Sequence, residues 1–242
     1  MLSTGKTDKF MINGTRKYGV ALIVIICIAL AGIIVYGFYS PVSYNRAETA
    51  PENKKGDELK LTTATIREET DAYSIAMDYP QFGDATIDAQ LKKAVDDAID
   101  AFKNLLAESP PVGIKYSLES EFNSVYISSD IVGAKLIISE YTGGAHPLSI
   151  IVGQNFDRST GKLLLLDDAL KLIGLTTGQV SAQASAELRT RLGESFFEEG
   201  ANTNPENFSS FVVSPDKVTF IFQAYQVAAY AAGPQEVSFP RK

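Results

Sequence analysis

Val20 to Tyr39 (VALIVIICIALAGIIVYGFY) is apolar almost throughout, and no charged residue occurs from Gly19 to Asn45. Twenty helical residues rising about 1.5 Å each cover the ~30 Å hydrocarbon core of a bilayer. A helix packed in a soluble core would carry a polar stripe, and this segment has none. The pattern predicts a transmembrane helix over residues 19–39, with Tyr18, Tyr36, Phe38 and Tyr39 near its ends, where aromatic rings prefer the interface. Lys6, Lys9, Arg16 and Lys17 precede it, so residues 1–18 are expected to be a short cytoplasmic tail. A cleaved signal peptide would have a shorter apolar run and a small-x-small cleavage site. The sequence GFYSPVSY that follows Tyr36 offers no such site.

Residues 40–60 are polar, charged and proline-containing, the composition of a linker. Structured patterning begins at Leu61. Leu61 to Tyr79 alternates loosely and stops before Pro80, as a strand would. From Asp84 to Glu108, Ile87, Leu91, Val95, Ala98, Phe102 and Leu105 or Leu106 recur at spacings of three and four. This predicts an amphipathic helix stopped by Pro110-Pro111. Strands are predicted over residues 113–118, 124–128, 135–141, 149–157 and 162–165, with turns at Gly143-Gly144 and Ser159-Thr160-Gly161. A second helix fits residues 178–197, with Val180, Ala184, Leu188 and Leu192 on one face. Asn202 to Phe208 is a loop, and residues 211–213, 218–225 and 236–239 are closing strands. The predicted fold class is therefore α+β, with mixed or antiparallel sheets and two main amphipathic helices after one N-terminal transmembrane helix. Residues 61–242 form the outer domain, divided into halves of about 61–168 and 169–242.

Charge narrows the function. The net charge is −7, and residues 1–18 carry +3, which leaves −10 on the remainder. Nucleic-acid affinity comes largely from phosphates neutralised by Lys and Arg, so nucleic acid is excluded as a partner. One cysteine, Cys27 in the apolar span, excludes an internal disulfide, and one histidine excludes a His-rich metal site. No metal and no cofactor are expected. The sequence holds no GxGxxG after a strand, no GxxxxGK[ST], no HExxH and no GxSxG. His146, the sole imidazole, lies in Tyr141-Thr142-Gly143-Gly144-Ala145-His146-Pro147, which reads as a tight connection. Two glycines permit positive φ there, and Pro147 pushes His146 to extended geometry. A hydrolase or esterase would have to pair His146 with Asp157, Asp167 or Asp168. The neighbouring carboxylates Asp96-Asp97, Asp167-Asp168 and Glu198-Glu199 read as solvated faces, because a glycosidase needs two facing carboxylates about 5–10 Å apart. Sugar platforms are exposed aromatic rings; the chain has no Trp and 11 Tyr. Tyr225 and Tyr230 fall in YQVAAYAAG, read as a strand over 225–228 turning into a loop, with its tyrosines half-buried.

Three segments in order, YTGGAHP (141–147), NFDRSTGKLLLLDDAL (155–170) and FVVSPDKVTFIFQAYQVAAYAAGPQEVSFP (211–240), resemble the RsiV-like extracytoplasmic domain family. Domains of this kind also occur at the front of some bacterial peptidoglycan deacetylases. The resemblance runs from about Thr62 to Phe239. It implies a mixed α+β domain outside a bacterial membrane, and the best understood relatives are membrane-spanning anti-sigma factors whose outer domain binds lysozyme. The short tail before the span departs from the cytoplasmic domain of those relatives, and the chain ends before the position of a deacetylase domain. Neither anti-sigma activity nor deacetylation is therefore expected.

The function read from the sequence is a single-pass, membrane-anchored extracytoplasmic binding or sensor domain, with an N-terminus in the cytoplasm. Its expected partner is a lysozyme-like muramidase or the cell-wall glycan. The alternatives are a glycan-modifying enzyme and a structural subunit of an envelope complex. The expected contacts are Tyr141, Thr142, Gly143, Gly144, His146, Pro147, Tyr225 and Tyr230, since rigid aromatic anchors dominate interfaces. No catalytic residue is assigned.

Overall fold

A computed structural model of the chain describes residues 59–242. The predicted cytoplasmic tail, transmembrane helix and nearly all of the predicted linker lie outside the described residues. Among the described residues no helix is long and apolar enough to cross a membrane.

The fold is α+β, with a five-stranded mixed sheet in the order β1-β2-β3-β4-β5 and a three-stranded antiparallel sheet in the order β6-β7-β8. β1 (Thr62–Glu69) and β2 (Tyr73–Gln81) form a hairpin where the alternation predicts one strand. Thr70 makes the reversal, its hydroxyl accepting from the backbone N–H groups of Ala72 and Tyr73. Pro80 stays within β2, paired with Thr63. Helix α1 (Ala85–Glu108) matches its predicted span. Asp84 caps it by accepting from the N–H of Thr86 and Ile87, and Asp88 reaches back to the N–H of Phe82 and Gly83. The helix carries the chain from β2 to β3 (Tyr116–Ile127), which is why that pair is the parallel one.

β3 unites two predicted strands across a bulge between Asn123 and Tyr126, where Ser124 takes φ 51°. β4 (Ile131–Tyr141) and β5 (Leu148–Asp157) complete the sheet. The predicted strand over 162–165 reduces to one bridge between Phe156 and Leu163, and the chain then forms α2 (Leu166–Ile173). α3 (Thr177–Leu192) ends five residues before its predicted end, at Gly193, φ 58°; three short 3-10 turns follow. β6 (Phe211–Val213), β7 (Lys217–Phe222) and β8 (Gln235–Pro240) form the second sheet. β7 stops at Phe222, three residues short of its predicted end.

Strand periodicity gives the large sheet two different faces. Ile150, Val152 and Phe156 of β5 share one core with Ile87, Leu91, Val95 and Phe102 of α1. Ile151 points the other way and packs with Val212 and Ile221 of the small sheet. The far face of the small sheet, with Phe211, Phe220, Phe222, Val237 and Phe239, packs on Val180, Ala184 and Leu188 of α3. The layers over β5 thus run helix, sheet, sheet, helix.

The outer edge of β5 is where the two sheets meet. Gly153 has no side chain to keep β6 away: a Cβ there would stand 1.5 Å from the carbonyl oxygen of Phe211. Asn155 uses both ends of its amide on β6, donating to Phe211 O at 2.7 Å and accepting from Val213 N at 2.9 Å. Gly133, opposite Asn155 on β4, leaves the room this amide occupies. The Ser210 hydroxyl donates to Ile151 O at 2.8 Å, and the Gln223 amide both donates to Ile151 O and accepts from Ile151 N. Lys135 of β4 and Glu236 of β8 add an ion pair between the sheets, 2.9 Å long.

Two outcomes follow for stability. Asn155→Ala leaves a buried N–H and a buried C=O without partners and should cost about 2–4 kcal/mol, while Gly153→Ala forces β6 outward and should cost roughly 1–3 kcal/mol or more. Urea unfolding of each variant measures both; an unshifted midpoint in either contradicts the assignment. Glu140, half-buried near the end of β4, meets no cation among the described residues, and burial raises its carboxyl pKa. Its folded pKa lies above the unfolded value of about 4.3, so the folded state holds more protons in that window and stability falls as pH rises through it. Glu140→Gln should therefore raise stability at pH 7 and leave it unchanged or lower at pH 4, read by unfolding midpoints at the two pH values.

Candidate functional site

Two connections, one from each half of the domain, converge beside the β4–β5 turn. The first runs from Tyr141 to Pro147. Gly143 and Gly144 take φ 98° and 102°, which closes the reversal, and a Cβ on Gly143 would press on Ile114 Cδ1 at 2.6 Å. The Tyr141 hydroxyl donates to Gly144 O at 3.2 Å. His146 and Pro147 stand exposed at the end of this loop.

The second connection runs from Gln223 to Gly233. Gln226 N donates to Gln223 O at 3.0 Å, which closes a turn with Tyr225 in its third position. Tyr225 has φ 69° while Ala224 keeps negative φ, the pattern of a type II turn. Glycine ordinarily fills that position; a bulky side chain there carries about 1–3 kcal/mol of strain. The surroundings hold it. The Gln226 side chain accepts from Gln223 N at 2.8 Å and donates to Gly200 O and Asn207 O at 2.9 and 3.0 Å. Gly200 lets Gln226 O come so near that a Cβ would lie 1.8 Å from it. Buried Val227 and Ala228 then pin the segment before a 3-10 turn over Tyr230–Ala232.

These connections bring three rings together. His146 stacks on Tyr230 with centroids 3.6 Å apart and planes within 10°, and Tyr225 meets Tyr230 at 5.3 Å and 39°. The Tyr230 hydroxyl donates to Pro147 O at 3.0 Å, and His146 Nδ1 donates to the same carbonyl at 3.0 Å. That contact puts the proton of a neutral imidazole on Nδ1 and leaves Nε2 as an acceptor. Tyr230 is the shared member of the group, in contact with both other rings. The tilted Tyr225–Tyr230 pair lies in the range where ring pairs add about 0.5–1.5 kcal/mol beyond the area they bury.

Of the sequence-expected residues, His146, Pro147, Tyr225 and Tyr230 assemble directly. Tyr141, Thr142, Gly143 and Gly144 shape the loop that delivers His146. The expected strand over 225–228 does not form, because the chain has left the sheet by then; Tyr230 is half-buried as expected, while Tyr225 is exposed, at 52%. The pairing of His146 with a carboxylate is not assembled either. Asp157 sits at the opposite end of β5, where Ser159 and Thr160 bond it and lower its pKa. Asp168 accepts from Leu165 N and pairs with Lys171 at the start of α2, and Asp167 stands beside it in that first helical turn. Among the described residues no three His, Cys, Asp or Glu side chains converge as a metal site would require. Sequence reasoning missed the roles of Gln223 and Gln226; their signal was two amides in an otherwise apolar run.

Comparison with known proteins finds two similar segments and a similar fold. Residues 66–149 match the profile described as "Deacetylase PdaC", and residues 174–242 match that of a "Protein of unknown function (DUF3298)". The chain is 25% identical over 236 residues to the peptidoglycan-N-acetylmuramic acid deacetylase PdaC of Bacillus subtilis (strain 168). That alignment covers 93% of this chain and 49% of the deacetylase, so the chain spans about half the length of that relative. Crystal structures of DUF3298 proteins from Bacteroides fragilis and Pseudomonas aeruginosa share the fold, each with TM-score 0.52. They are 19% and 16% identical and cover 75% and 77% of this chain, and 90% and 92% of their own lengths are matched. Residues 66–149 are thus similar to a PdaC-type segment and residues 174–242 to a DUF3298 segment, on a fold shared with the DUF3298 structures.

Proposed function

We propose that this chain is a single-pass bacterial membrane protein whose outer domain is a recognition module for the cell envelope. Residues 19–39 anchor it and the N-terminus stays in the cytoplasm. Its partner is peptidoglycan or a muramidase of the lysozyme class, and it is contacted through the rings of Tyr225, Tyr230 and His146.

The observation that carries this reading is the ring group itself. Two loops 76 or more residues apart in sequence deliver three aromatic side chains to one surface, and one of them stands in a backbone conformation that folding does not favour. Preorganised aromatic side chains on a rigid scaffold are what binding surfaces use. The curated relative acts on peptidoglycan by its name, which supports an envelope role. Binding rather than catalysis suits a ring group in which His146 meets Tyr230 and a carbonyl, not a carboxylate. The muramidase reading has its own support: the described residues carry an excess of acid, which would steer a cationic protein toward the domain.

The test is calorimetric titration of the full chain in detergent with lysozyme and, separately, with soluble peptidoglycan fragments, at low and moderate salt. Saturable binding of at least one that persists at moderate salt and weakens about tenfold in Tyr230→Ala is the expected result. Heats that vanish with salt for lysozyme, together with none for the fragments, would contradict it.

A further inference from the structure

Resting on the recognition reading above, we propose that the site takes a neutral, saturated sugar ring of an envelope glycan, and that the Tyr225 ring is its stacking platform.

Charge selects the ligand class. Neither Tyr141–Phe156 nor Val218–Gln235 contains a single Lys, Arg, Asp or Glu. The whole domain is acidic, yet the two connections that carry the rings are uncharged. A cationic protein partner is held by carboxylates at the contact, and none is supplied by these segments. A neutral sugar needs a flat apolar face for its C–H surface and a few polar atoms at the rim. The exposed face of Tyr225 offers the first, and His146 Nε2 and the tyrosine hydroxyls offer the second. Ala229, Ala231, Ala232, Gly144 and Ala145 around the rings are exposed and small, so the rings stand clear of their neighbours and an extended chain can lie across them.

Backbone strain identifies the platform. Tyr230 is committed within the group, with rings on it from two sides of the site and its hydroxyl bonded to Pro147 O. Tyr225 packs only against Tyr230 among the described rings and stands 52% exposed. It occupies a turn position that glycine fills better, held there by the Gln226 amide. A tyrosine kept where the fold would prefer glycine is kept for what its ring touches.

The experiment uses the full chain in detergent micelles, with chitotetraose as the probe and lysozyme as the comparison. Tyrosine fluorescence and the proton resonances of the single imidazole report binding, and thermal unfolding reports stability. Chitotetraose should bind saturably. Tyr225→Gly should weaken it about tenfold or more with a melting temperature equal to or above wild type, whereas Tyr225→Phe should stay within about threefold. A fall in melting temperature for Tyr225→Gly, or unchanged affinity, would assign the ring to packing and overturn the platform. Binding of lysozyme but not chitotetraose would overturn the sugar while leaving the recognition reading intact. Binding of neither would remove both.

Discussion

The outer edge of β5 is the constraint on which the structure depends. An edge strand presents a row of backbone N–H and C=O groups that must be paired, covered or left to water. Here they are covered by side chains of the other half rather than by a sixth strand. Ser210, Gln223 and Asn155 satisfy both sides of the contact, and Gly153 and Gly133 clear the space. The arrangement trades regular ladder bonds for side-chain amides, which fix one register and one crossing of β6 over β5. Buried polar groups of this kind are costly when unmatched, so the pairing of Ser210, Gln223 and Asn155 specifies how the halves dock.

The ring group is a consequence of that docking. Gln223, whose amide holds Ile151, is also the first residue of the turn that presents Tyr225. His146 lies two residues before β5, and Pro147 O between them receives the Tyr230 hydroxyl. The two matched family segments end and resume on either side of this seam, at residues 149 and 174, and the seam itself holds Gly153 and Asn155. Each segment supplies part of the site and neither contains it whole. The strain at Tyr225 is tolerated because Gln226, Gly200 and buried Val227 over-determine the local backbone.

Much of this was legible in the sequence where a single period dominates. The three-and-four spacing from Ile87 to Phe102 yields α1 at the right length, and alternation yields β4, β5 and β8 within a few residues. The first hairpin was not legible, because Thr70-Asp71-Ala72 reverses the chain without Gly or Pro and the alternation runs on through it. α2 was obscured by Leu163 to Leu166, a run as compatible with a buried strand as with a helix; the later spacing of Leu166, Ala169, Leu170 and Ile173 before Gly174 was the discriminating signal. Tyr225 was misplaced because β-branched and aromatic residues from Val218 onward favour a strand, and only the tertiary hold of Gln226 ends it. The aromatic residues of the site were legible as types in loops. Their convergence was not, since it follows from the docking at β5, which no local pattern encodes.

Two distant loops form one stacked ring group because the halves dock at β5. The single histidine makes this directly measurable, since its imidazole gives the chain's only such proton resonances. A ring lying 3.6 Å over Tyr230 must have those protons shielded and shifted upfield of free histidine. That upfield shift is expected in the wild-type chain, with its loss in Asn155→Ala under conditions where that variant stays folded. Imidazole resonances at the free-histidine position in the wild type, or an upfield shift that survives undiminished in Asn155→Ala, would contradict it.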